Sequence, residues 1–61
     1  MKEVSRAAFA AFVRAHPELI DHPVEAKSRC VMQYVTTEFE LAAQAIYVGG
    51  LEPRYMIREG A

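Results

Sequence analysis

The chain contains one cysteine in 61 residues, so no disulfide closes within it. Small domains of oxidising compartments usually carry several, because their cores are too small to hold alone. Proline and glycine are scarce, at three each, while apolar residues make up 52% and charged residues 25%. That balance excludes a disordered or low-complexity chain. No apolar run approaches the ~20 residues of a membrane-spanning helix. Neither charge dominates: seven Lys and Arg against eight Asp and Glu leave a net −1, which gives no electrostatic reason for a polyanion partner. Met1-Lys2-Glu3, Ser5-Arg6 and Arg14 interrupt the apolar core that a signal peptide needs. The expectation is one small cytoplasmic domain over residues 1–61, away from membranes. A chain of this length buries only ~60% of its unfolded surface. It has no room for a cofactor domain, and its missing stability must come from efficient packing or from a partner.

What is present begins with a helix over residues 4–16. Val4, Ala8, Phe9, Phe12 and Val13 share one side of a helical wheel, with Arg6, Ala10 and Arg14 opposite. Phe12 reads as the core anchor. Pro17 disfavours helical geometry at His16 and ends the element. Pro17 to Lys27 then reads as a turn region. Residues 29–37 are rich in β-branched and aromatic side chains, and Glu38-Phe39-Glu40-Leu41 alternates polar with apolar, both strand signals. Gly49-Gly50 suits a two-residue hairpin turn. Residues 54–58 make the return strand, with Pro53 pointing to a sheet edge. The predicted fold is α+β: an N-terminal amphipathic helix, a turn region and a three-stranded antiparallel meander. The alternative is all-α, with two or three helices, supported by Thr37 and Glu40 as a capping box.

If turns fall at Thr37-Glu38 and Gly49-Gly50, both faces of the meander carry apolar area, and one helix covers only one of them. Val48 then faces Leu51, and Gln44 faces Tyr55, on the first face. Tyr34, Leu41, Tyr47 and Met56 share the second, with Arg54 and Arg58 at its rim. Exposed apolar patches mark interfaces, and these residue types are enriched there. These six residues are the expected contact surface for a protein partner or a second copy, unless the His16–Lys27 segment folds over them.

Chemistry finds little foothold. His16, His22 and Cys30 match no zinc spacing. Cys30 lacks an orienting group and an oxyanion loop, so it reads as a small buried residue. Glu38 and Glu40 have no sugar-sized cleft around them. Neither a metal, a cofactor nor a catalytic activity is expected. No stretch matches a family motif. Small size, scarce cysteine and an α+β pattern are similar in style to accessory proteins of phages and plasmids, which bind and modulate larger complexes. The function expected is a non-catalytic intracellular protein–protein interaction module. The alternative is a small nucleic-acid-binding regulator using Arg6 and Arg14, or Arg54 and Arg58, although Glu3, Glu18 and Glu52 interrupt those clusters.

Overall fold

The computed structural model describes residues 1–59. In chain order the elements are β1 (Lys2–Val4), α1 (Arg6–Ala15), β2 (Ile20–Asp21), β3 (Cys30–Val35), β4 (Leu41–Ile46) and β5 (Arg54–Ile57). The strands form one antiparallel sheet in the order β1-β5-β4-β3-β2. The mixed α+β class is therefore observed, and the all-α alternative is not. The three-stranded meander is corrected to five strands. β1 and β2 are too short to leave a sequence signal, and each exists because a longer strand offers it a ladder of hydrogen bonds.

The helix starts later than its periodicity suggests. Val4 is taken by β1, where it pairs with Tyr55. Ser5 adopts extended backbone (φ −71°, ψ 161°), and its Oγ accepts from the Ala8 N–H at 3.1 Å. This is an N-cap that satisfies an otherwise orphaned donor. At the other end Pro17 follows the cap residue His16. The His16 N–H donates to the Val13 carbonyl at 3.2 Å, and its Nδ1 donates to the Phe12 carbonyl at 2.8 Å.

The turns depart from the expected two-residue forms. The β3–β4 loop is Thr37-Glu38-Phe39, closed by the Thr36 N–H donating to the Glu40 carbonyl and the Phe39 N–H donating to the Thr36 carbonyl, both at 2.9 Å. Thr36 Oγ1 accepts from the N–H groups of Glu38 (3.2 Å) and Glu40 (3.1 Å). Three-residue hairpin loops need a left-handed third residue. Here that residue is Phe39, at φ 63°. The β4–β5 connection runs from Tyr47 to Pro53. Only Gly49 in it is left-handed, at φ 70°, whereas a type I′ turn at Gly49-Gly50 would need both glycines so. Pro53 precedes β5 and removes no ladder donor, so β5 lies between β1 and β4 rather than at an edge.

The β4–β5 loop shifts the register by one residue, while β3 and β4 are offset by two at Met32 and Tyr34, which keeps those two on the face of Ala43 and Ala45. Tyr55 pairs with Ala45 rather than Gln44, and Ile57 with Ala43 rather than Ala42. Side chains alternate along a strand, so the one-residue offset exchanges faces. Two rows lie under the helix: Val4–Tyr55–Ala45–Met32 and Lys2–Ile57–Ala43–Tyr34. The opposite face carries Glu3–Met56–Gln44–Gln33 and Arg54–Ile46–Cys30. The sheet is thus chiefly apolar toward the helix and mixed on the other side, rather than carrying the two apolar faces expected from the sequence. Ala43 and Ala45, fully buried, leave a trough between Tyr34 and Tyr55. Phe9 fills it and is 5% exposed, with its ring 6.1 Å from Tyr34 and 5.2 Å from Tyr55. Phe9, not Phe12, is the anchor. Phe12 is half-buried and stacks on the His16 ring at 4.3 Å.

Candidate functional site

The structure does not gather the six expected contact residues onto one surface. Tyr34 lies under the helix beside Phe9. Met56 and Arg54 lie on the opposite face, where Arg54 reaches Glu3 at 3.8 Å with both side chains half exposed. Such an exposed pair adds little stability. Leu41 starts β4 at one end of the sheet, while Tyr47 follows β4 at the other; both are exposed. Arg58 is half-buried after β5, its N–H donating to the Ala42 carbonyl at 2.7 Å. The His16–Lys27 segment meets the mixed face beside Gln33, where His22, Pro23, Val24, Glu25 and Ser28 line a shallow pocket with it.

Two other surfaces are built by the fold. The first is a groove on the helix side. α1 packs chiefly against β5, so the helix side of β3 is left partly open. The resulting groove has a volume of about 340 Å³. Met32, Tyr34, Tyr55 and Phe9 line it from the core, and Ala10 and Val13 from the helix. Arg6 and Arg14 complete the lining and are exposed at its rim. Arg6 and Arg14 are eight residues apart in α1, which places their backbone positions ~12 Å apart along the axis by the ~1.5 Å rise per residue. No acidic side chain lines the groove. Among the described residues the one ion pair is Arg54–Glu3, so Arg6 and Arg14 both face solvent unpaired.

The second surface is the end of the sheet carrying the β3–β4 hairpin. Ile20 pairs with Val35, and Val35 with Leu41, making an apolar row across three strands. Val35 is buried between flanks that stay exposed, Ile20 at 40% and Leu41 at 41%. Beyond the row stands Phe39, 71% exposed. A bulky residue in left-handed backbone is uncommon, and strain of this kind collects at working sites. Exposed glutamates, Glu38 and Glu40, bracket it in the chain. Phe39 is not among the six contact residues expected from the sequence, in which Glu38 and Glu40 read as a strand end. The available signal was an aromatic residue between two carboxylates at the point where the alternation should turn.

Elsewhere the chemistry is sparse. Burial pushes the Cys30 thiol above its ordinary pKa, which keeps it in the unreactive protonated form at neutral pH. Its Sγ donates to the Met32 carbonyl at 3.2 Å. No group of three or more His, Cys, Asp or Glu converges on a possible metal site among the described residues. No helix there is long and apolar enough to cross a membrane. Set beside family models, curated proteins and solved structures, the chain matches none.

Proposed function

We propose that this chain is a non-catalytic protein-binding module of the cell interior, an accessory protein that acts by docking on a larger assembly. The observation that carries the reading is the β3–β4 hairpin: an exposed Phe39 held in left-handed backbone, backed by the apolar flanks Ile20 and Leu41. Interfaces draw their affinity from a few central apolar and aromatic side chains ringed by polar ones. Phe39 with Glu38 and Glu40 beside it has that composition. The working contact therefore moves from the six-residue surface expected from the sequence to the hairpin end, with Leu41 as the residue common to both.

The test is affinity capture from the host lysate with the native chain and with Phe39→Ser/Leu41→Ser, checked for native circular dichroism. The double variant should lose the captured proteins. Equal capture by both chains would overturn the reading. The nucleic-acid alternative keeps one supporting observation, the aromatic groove rimmed by Arg6 and Arg14. It requires single-strand affinity that falls steeply as salt rises and that Arg6→Gln/Arg14→Gln removes.

A further inference from the structure

The hairpin and the groove are complementary, and from this we infer that the occupant of the groove is the β3–β4 hairpin of a second copy of this chain. The inference rests on the protein-binding reading and names one partner for it. Phe39 is an apolar knob bracketed by Glu38 and Glu40. The groove is an apolar cleft bracketed by Arg6 and Arg14. The charges of the hairpin loop are negative and those lining the groove itself are positive, although Arg6 also borders a neighbouring pocket with Glu3 and Glu52. Phe39 does not line the groove of its own chain and stays 71% exposed, which leaves it free to meet another molecule. Glutamate–guanidinium pairs at the mouth are charge-assisted and geometrically specific. The ring meets Tyr34, Tyr55 and Met32, partners that favour aromatic and sulfur contacts.

The contact joins two different patches, and exchanged reciprocally it is an isologous two-fold dimer, whereas head to tail it is heterologous. It closes either reciprocally, each hairpin entering the other copy's groove, or around a ring. In both cases every copy contributes one knob and one groove. The net charge of −1 leaves little bulk repulsion to oppose association.

Light scattering and sedimentation of the purified full chain over a range of concentrations provide the test. The native chain should self-associate, more weakly as salt rises. Phe39→Ser should weaken association about thirtyfold, the effect of losing a ~2 kcal/mol hot spot at ~1.4 kcal/mol per decade. Arg6→Glu/Arg14→Glu should also yield monomers. Mixed together, these two variants should form a one-to-one complex, since one keeps the groove and the other keeps the knob. Combining Arg6→Glu/Arg14→Glu with Glu38→Arg/Glu40→Arg in one chain should restore self-association. Circular dichroism on each variant separates lost contact from lost fold. A native chain that stays monomeric at every concentration overturns the inference, as does association that survives Phe39→Ser or variants that fail to complement. If the chain is monomeric yet Phe39→Ser/Leu41→Ser abolishes capture from lysate, the binding module stands and only the second copy as occupant falls.

Discussion

The rings of Phe9 and Tyr55 lie 5.2 Å apart and inclined at 53°, and through this contact α1 is seated on the sheet. Tyr55 stands beside Ala45, whose small side chain leaves room for the phenyl ring. The helix is thus held by one large side chain in a trough floored by alanines. The buried residues are Phe9, Val35, Ala42, Ala43 and Ala45 among those described, so Phe9 is the largest of them.

Stability should be concentrated accordingly. Phe9→Ala should cost ~3–5 kcal/mol, the usual range for removing a buried aromatic ring. That is comparable with the whole stability of a small domain. Phe12→Ala, at a half-buried site against His16, should cost clearly less. Thermal unfolding followed by circular dichroism compares the two. Equal losses would mean that the helix sits on the sheet by a different face.

The hairpin carries the opposite expectation. A left-handed non-glycine residue costs ~1–2 kcal/mol, and glycine returns part of that through a more flexible unfolded chain. Phe39→Gly should therefore raise stability by up to ~1 kcal/mol. Thr36→Val should lower it by ~1 kcal/mol, because its Oγ1 accepts from two loop N–H groups. A Phe39→Gly chain that is more stable yet no longer associates would show a residue kept for contact rather than for folding.

The β4–β5 loop separates its two glycines. Gly49→Ala should cost ~1 kcal/mol from backbone strain alone, since an added Cβ meets nothing within 4 Å. Gly50→Ala should be neutral or slightly stabilising. Its backbone is not left-handed, and its nearest neighbour would be the Glu52 carbonyl oxygen at 3.8 Å. Matched denaturant titrations distinguish this from a type I′ turn, in which both substitutions would hurt.

Cys30 predicts a pH response. Burial raises its folded pKa above the unfolded value, so folding favours the protonated thiol. That contribution is fully present below the unfolded thiol pKa and is lost as pH rises through the folded one. Alkylation by iodoacetamide should be slower in the folded chain than in denaturant at the same mildly alkaline pH. The Cys30→Ala variant should lose less stability than the native chain over the alkaline range. A folded thiol that reacts as fast as the unfolded one would contradict the burial.

Much of the element order was legible in the residues. The β-branched and aromatic content of 29–37 and the Arg54–Arg58 segment point to strands, and β3 and β5 lie within them, whereas residues 38–48 read as strand or as helix and become β4 between those two partners. The end of the helix follows from Pro17, which restricts the backbone of His16. The two strand signals and the helix end are local effects, settled by a few neighbouring side chains. The candidate contact surface was less legible, because Tyr34, Met56 and Leu41 share a face only in one register.

Register, edge pairing and helix seat were decided by the tertiary structure. The β4–β5 loop offsets the strands by one residue, and alternation with period two turns that offset into an exchange of faces, bringing Tyr55 under the helix and Met56 out. Lys2–Val4 has weak local preference and becomes a strand because the edge of β5 offers three partners. Phe9 and Phe12 are close neighbours on the wheel, and both are apolar. Which of them is buried depends on where α1 lies over β5, a long-range packing choice that the pattern of either residue's neighbours does not contain.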